Sequence, residues 1–280
     1  DKGVTAVGKA LHKTGFPLWT PSLPKPFNPA KAVKAPQPEA DRAVVYFPSC
    51  INRTMGPSEE APKTAKPLVD TMVKLCHKAG YRVIFPKGME KLCCGMIWES
   101  KGMPEVADEM TAKLEKALVE ASENGKYPVL CDQSPCLHRM RDHIKSMKLY
   151  EPAEFIDKYL APYLEFTPGN ESIAVHVTCS SRLMGLADTI IGLARRCSTN
   201  VTVPAAVGCC GFAGDKGFTV PELNAWGLRN LRPAIEKAAV TAGYSNSRTC
   251  EVGLTTNSGV PYKSIVYLVD EHTRPLGSAK

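Results

Sequence analysis

From residue 43 onward, short uninterrupted apolar runs alternate with stretches whose apolar residues recur at helical spacing, a pattern that predicts buried strands joined by helices. Ala43-Val44-Val45-Tyr46-Phe47 is apolar, β-branched and aromatic throughout, as a strand covered on both faces requires. Residues 64–79 place Leu68, Val69, Met72, Val73 and Cys76 on one helical face and stop at Gly80, a helix-ending residue. A strand over 82–85, an amphipathic helix over 103–124 closed by Gly125, a strand over 127–130 and helices over 137–146 and 153–164 follow. The order then repeats, with a strand over 172–177, a helix over 182–196, a strand over 200–203, a helix opening at Pro221, a strand over 240–244 and a helix over 265–271. The expected fold class is therefore α/β: two pseudo-symmetric halves with parallel strands and flanking helices.

The first forty residues break this pattern. They hold seven prolines, which fix φ and remove backbone donors, so they predict an extended strap rather than a helix or a central strand. Residues 4–11 are expected to form a short helix, and 35–41 the last flexible stretch before the core. The expected organisation is a strap from an upstream domain over 1–41, a first repeat over 42–168 and a second over 169–280.

Cysteine placement sharpens the repeat. Cys50 follows the first strand, Cys93-Cys94-Gly95 the second, and Cys131 with Cys136 the third; Cys179, Cys209-Cys210-Gly211 and Cys250 stand at like places in the second half. Offsets between matched positions are 129, 116 and 119 residues when Cys131 is paired with Cys250, which suits an ancient duplication and is too long for a solenoid period. Cys250 is expected on a loop. Open α/β sheets place ligands at the carboxyl ends of their strands, where these thiols fall. Soft thiolates select iron–sulfur clusters, zinc or Cu(I), and a surplus of sulfur without histidine fits a cluster better than one tetrahedral zinc. The metal-ligand candidates are Cys50, Cys93, Cys94, Cys131, Cys136, Cys179, Cys209, Cys210 and Cys250. Gly95, Gly208 and Gly211 are the candidate cofactor-binding glycines, keeping the loops bare so that amide N–H groups reach cluster sulfur. With five thiols against four, the first site is expected to be the stronger holder. No residue is assigned to catalysis. Cys76 and Cys197 lie among leucines and isoleucines and read as core, as does His176, which could otherwise serve as a ligand in the second half.

Composition narrows the classes. Eleven cysteines, an odd number in a 280-residue chain without a charged-then-apolar leader, point to reduced thiols rather than disulfide staples. No apolar run approaches the roughly 18 residues of a membrane span, so any membrane contact is expected to be peripheral. The net charge of +7 is spread along the chain without a basic run interleaved with aromatics, which argues against nucleic acid as a partner.

The order Cys50, Cys93-Cys94-Gly95, Cys131, then Cys179, Cys209-Cys210-Gly211, Cys250 resembles the cysteine-rich CCG domain of heterodisulfide reductase B-type subunits and glycolate oxidase iron–sulfur subunits. The segments 46–50, 132–136, 208–218 and 245–254 are more narrowly similar to the C-terminal region of FAD-linked, iron–sulfur D-lactate dehydrogenases, over residues 43–274. That resemblance implies an electron-transfer region carrying 4Fe–4S-type clusters, with FAD and ferredoxin-type clusters in upstream domains that oxidise D-lactate, a quinone or cytochrome as acceptor, and a cytoplasmic place, peripheral on the inner membrane face. A zinc-stabilised interaction module and thiol–disulfide chemistry by the vicinal pairs are the alternatives. The chain departs from the family pattern twice: four residues separate Cys131 from Cys136, and Gly253 stands where the second C-x-x-C would end.

Overall fold

A computed structural model of the chain describes residues 2–13, 16–20, 22–26, 38, 41–58, 61 and 64–277. The first half is a parallel sheet of β1 (Ala43–Phe47), β2 (Arg82–Ile84), β3 (Val129–Cys131) and β4 (Leu149–Tyr150), in the spatial order β2-β1-β3-β4. The second is a parallel sheet of β5 (Gly169–Val175), β6 (Ser198–Thr202), β7 (Ala242–Ser245) and β8 (Tyr262–Ser264), in the order β6-β5-β7-β8. The two sheets thus share one strand order and one sense, and the α/β class expected from the apolar pattern is what the chain adopts.

Helices follow the strands. Among them, in the first half, are α1 (Cys50–Thr54), α2 (Leu68–Lys78), α3 (Pro104–Ala121) and α4 (Ser134–His143); in the second, α5 (Cys179–Leu183), α6 (Ala187–Cys197), α7 (Pro221–Gly227), α8 (Arg248–Ser258) and α9 (Ile265–Glu271). The helix expected over 182–196 is two, because Gly185 takes a φ of +72° that ends α5 before α6 begins. The stretch 153–164 is likewise not one helix: an α turn, a π turn and a 3-10 turn succeed one another, the last containing Pro162. Cys250 lies within α8 and not on a loop.

Strand β1 is buried at every position, and its side chains alternate between two cores as the pleat dictates. Val44 and Tyr46 enter a cluster that also takes α2, β5 residues Ile173 and Val175, α6 and α9, so one face of each sheet feeds a core common to both halves. Val45 and Phe47 face a second cluster with Leu114, Leu118, Leu137 and Met140. A third cluster, with Ala174, Leu228, Leu231, Ile235 and Leu254, covers the corresponding face of the second sheet. Helix α2 of the first half packs against α9 of the second.

The proline-rich strap touches both halves. Pro24–Pro26 pairs antiparallel with Met55–Ser58, the Leu18 N–H donates to the Phe218 carbonyl at 2.7 Å, and the hydroxyls of Ser22 and Thr256 share a hydrogen bond of 2.8 Å. The short helix expected over 4–11 spans Lys2–His12. Most of 35–41 lies outside the described residues. Among the described residues, no helix is long and apolar enough to cross a membrane.

Candidate metal centre

In a strand order of this kind the connections leave β1 and β3 in opposite directions, which opens a crevice at their carboxyl ends where ligands bind. Cys50 begins α1 just beyond β1, and Cys136 lies in the first turn of α4 just beyond β3. Ser49 caps α1, its Oγ accepting from the Asn52 N–H at 3.4 Å. The buried Asp132 carboxylate ties this turn to β3, accepting from the Ser49 N–H at 2.8 Å and from the Tyr46 hydroxyl at 2.5 Å. Burial pushes the Asp132 carboxyl above its usual range, and these hydrogen bonds oppose that shift.

The second half repeats the device with other side chains. Thr178 caps α5, its Oγ1 accepting from the Ser181 N–H at 3.2 Å, and Asn246 takes the place of Asp132, donating to the Ser181 hydroxyl at 2.5 Å and to Glu151 at 2.9 Å. Asp132 and Asn246 are 114 residues apart, as are Cys136 and Cys250, each the third residue of its helix. The partner of Cys250 is therefore Cys136, and the counterpart of Cys131 at the end of β3 is Ser245 at the end of β7.

The vicinal pairs join these helix starts. The Cys93 thiol interacts with those of Cys50 and Cys94, and Cys94 with Cys136; Cys209 does so with Cys179 and Cys210, and Cys210 hydrogen-bonds with Cys250, their sulfurs 3.0 Å apart. Two runs of four thiols result, Cys50–Cys93–Cys94–Cys136 and Cys179–Cys209–Cys210–Cys250. Each starts at an exposed cysteine and ends at buried ones, and every cysteine is free. In each run one thiol is driven far down and its neighbours up. Hydrogen bonds from Cys50, Cys94 and the Gly95 amide favour the thiolate of Cys93, and those from Cys179, Cys210 and the Gly211 amide favour that of Cys209.

Backbone geometry at the pairs is equally matched. The Gly95 N–H reaches Cys93 Sγ at 3.4 Å and the Gly211 N–H reaches Cys209 Sγ at 3.3 Å. Both glycines have positive φ, +87° and +69°. The Thr111 hydroxyl of α3 holds the Cys94 carbonyl at 2.9 Å, and the Asn224 amide of α7 holds that of Cys210 at 2.6 Å. Gly208 shows neither positive φ nor a close neighbour, so no steric demand fixes a glycine there.

Of the nine thiols expected in the sites, eight fall in the two runs. Cys131 is buried at the β3 end, within electrostatic reach of Cys136 but outside the hydrogen-bonded chain, its Sγ 4.0 Å from the Gln133 carbonyl. Cys76 and Cys197 are buried in the common core. His176, buried just after β5, lies near Cys209, and burial lowers its pKa to about 4.

Sequence reading missed the link between the two sites. The Gln133 side chain donates to the Ser247 hydroxyl at 2.9 Å and accepts from the Arg248 N–H at 3.0 Å, while the hydroxyls of Ser134 and Thr178 meet at 2.8 Å. The loop before Cys136 and the loop before Cys250 therefore bind one another directly. The signal was present as equivalent residues, Gln133 and Ser247, at the 114-residue offset, and is visible only once Cys136 is the register mark.

Among the described residues, no group of three or more His, Cys, Asp or Glu is disposed to hold a single metal ion. Residues 44–141 match the model of the CCG cysteine-rich domain. None of the curated proteins compared matches the chain. Among solved structures it is similar to the Picrophilus torridus aspartate racemase, at 10% identity over 82% of this chain and 91% of that one, with a TM-score of 0.36. It is also similar to an aspartate racemase homologue from Pyrococcus horikoshii OT3, at 11% identity over 82% and 96% with a TM-score of 0.30, and to the allantoin racemase from Pseudomonas fluorescens, at 12% over 82% and 87% with a TM-score of 0.29. Likeness at such scores carries no argument about this chain. The cysteine-rich CCG match falls on the half that contains Cys50, Cys93, Cys94, Cys131 and Cys136, and is consistent with an iron–sulfur electron-transfer module.

Proposed function

We propose that the chain is an iron–sulfur electron-transfer region with one centre in each half. The observation that carries this reading is the pair of four-thiol runs, each spanning the carboxyl ends of the strands at the same place in two sheets of the same order. The residues fit such a group. Each run contains a sulfur stabilised as a thiolate and an amide N–H aimed at it, and the bare Cα of Gly95 and of Gly211 lets the loop fold back against its helix. A row of contacting thiols suits a group of several metal atoms better than a single ion, which wants four donors around one point. Bound there, a cluster supplies one-electron storage at a potential set by hydrogen bonds to its sulfur and by exposure. The chain's own part is to fix the cysteines through the caps at Ser49 and Thr178, and to hold the two sites together through Gln133, Ser134 and Ser247. The exposed ends at Cys50 and Cys179 give each site an edge at which electrons enter or leave.

The narrower reading rests on the sequence resemblance: electrons come from FAD in an upstream D-lactate-oxidising domain through ferredoxin-type clusters, and leave to a quinone or cytochrome at the inner membrane face. Within it, 1–41 is the strap from the upstream domains, and 42–168 and 169–280 are the two repeats.

Anaerobic loading of the full chain with iron and sulfide tests the general reading. Iron and acid-labile sulfide are expected together, and both Cys94→Ser and Cys210→Ser should lower them to a similar extent, since each removes an interior thiol of a four-thiol run. Zinc uptake without sulfide, or disulfide formation between Cys210 and Cys250 in place of iron binding, would instead establish the interaction-module or thiol-exchange reading.

A further inference from the structure

Beneath the strap, against α8, α9 and the edge strand β8, lies a cavity of about 480 Å3, within the roughly 300–1,000 Å3 of small-molecule sites. Among the described residues no cysteine lines it, so it is separate from both thiol runs. Pro24, Pro57, Ala65, Val252, Tyr262 and Tyr267 give it an apolar wall.

The charged side chains of that wall are already matched. Arg248 pairs with Glu251 at 3.1 Å, Lys263 with Glu271 at 2.7 Å, and Asp270 with Lys74 at 2.8 Å and Lys78 at 2.7 Å. Lys66, the remaining cation of the lining, is exposed to solvent. An ionic ligand would therefore give up its water without meeting a free counter-charge inside. Two donors of the wall are unanswered. Tyr262 is buried at 6% exposure, and among the described residues its hydroxyl has no hydrogen-bond partner. Arg248 commits both Nη groups, to Glu251 and to the carbonyls of Met55 and Gly56 at 3.1 and 2.8 Å, while its Nε–H has no partner among the described residues. Buried polar groups are almost always paired, so two orphan donors in the wall of one cavity mark the place of an acceptor.

We propose that this cavity is a binding site for an uncharged, mainly apolar small molecule that bears an acceptor oxygen, in its simplest form a carbonyl compound, with the Tyr262 hydroxyl as donor to that oxygen. The site does not depend on the electron-transfer reading above. It nonetheless shares an element with the second thiol run, since α8 carries the wall residues Arg248, Glu251, Val252 and Thr255 as well as Cys250.

Benzophenone tests this on the full chain, because its carbonyl is the acceptor and its excited ketone labels nearby C–H bonds. Saturable photolabelling is expected within 64–66, 248–255 and 261–271, which line the cavity. Diphenylmethane has the two rings without the carbonyl and should bind about tenfold more weakly, the difference made by one buried hydrogen bond. The anion 4-benzoylbenzoate should also bind more weakly than benzophenone. Tyr262→Phe keeps the ring that packs on Gly243 and removes only the orphan hydroxyl. Its urea midpoint should match or exceed that of wild type, while its preference for benzophenone over diphenylmethane is lost. Labelling that does not saturate or falls outside these segments overturns the proposal, as does 4-benzoylbenzoate binding as tightly as benzophenone. A preference for the ketone that survives undiminished in Tyr262→Phe overturns it equally.

Discussion

A Cβ at residue 95 has no space to occupy: it would lie 2.5 Å from the Ala107 carbonyl oxygen and 2.7 Å from Arg139 Nε, on a backbone with φ of +87°. At residue 211 it would overlap the Leu223 carbonyl, again at positive φ. The glycine after each cysteine pair is thus required by close approach to the next helix as well as by conformation. Gly208, equally prominent in the sequence, faces open space at an ordinary φ. Gly95→Ala is therefore expected to destabilise the metal-free chain by about 1–3 kcal/mol, the usual cost of a strained left-handed residue, with displacement of the helix start in addition. Gly208→Ala should stay within about 0.5 kcal/mol of wild type. Urea midpoints of the two variants check this, and equal midpoints would remove the steric reason for the CCG glycine.

At the level of elements, α8 explains why the second C-x-x-C is missing. Gly253 follows Cys250 by three residues on α8 and packs against the segment carrying Cys210: a Cβ there would lie 2.7 Å from the Phe212 ring and overlap the Asn224 amide that holds the Cys210 carbonyl. The matching residue in α4, Arg139, sends a buried side chain past Gly95 to ion pairs with Glu99 and Asp108, both at 2.7 Å. Neither position leaves room for a further side chain as the chain is packed. Gly253→Cys is expected to cost about 1–3 kcal/mol by overpacking and to reduce iron binding rather than add to it, because it pushes Asn224 off the Cys210 carbonyl. Higher iron content in that variant would show that a thiol fits there after all. These helices also mark what could be read from the sequence. Strands β1 and β5 and helices α2, α3 and α9 follow from apolar periodicity because each buries a single face or a whole run. The register of Cys250 did not, since Cys131, at the end of a strand, looked like its partner. Helix-start position, set by the Gln133 and Ser247 turns, is a property of backbone capping that apolar spacing does not encode.

Across the whole molecule the halves are not beads on a string. They share a core through Val44, Tyr46, Ile173 and Val175, and their ligand-bearing loops are cross-linked by Gln133 and Ser247, contacts between residues more than a hundred positions apart that no local pattern announces. One buried acid sits on this junction. Glu151, in the first half, accepts from the Asn246 amide of the second half at 2.9 Å and from the Ala153 N–H at 2.6 Å. Burial raises its pKa from 4.5 to about 7, against the opposing pull of those hydrogen bonds. A carboxyl whose folded pKa lies above its unfolded value stabilises the fold fully below the unfolded value, and that contribution is lost as pH rises through the folded one. Stability carried by Glu151 should therefore drain away between about pH 4.5 and pH 7, by on the order of 2–3 kcal/mol. Glu251, buried beside Arg248 and also raised to about 7, shifts in the same direction, so the total slope alone does not isolate Glu151. The difference between wild type and Glu151→Gln does. Glutamine resembles the neutral acid in size and cannot ionise, so urea midpoints of the metal-free proteins should differ little near pH 5 and favour the variant near pH 8. A gap that stays constant with pH, or one that favours wild type at pH 8, would mean that the ionised carboxylate is fully compensated by Asn246 and Ala153, and that the junction between the halves is not sensitive to this proton.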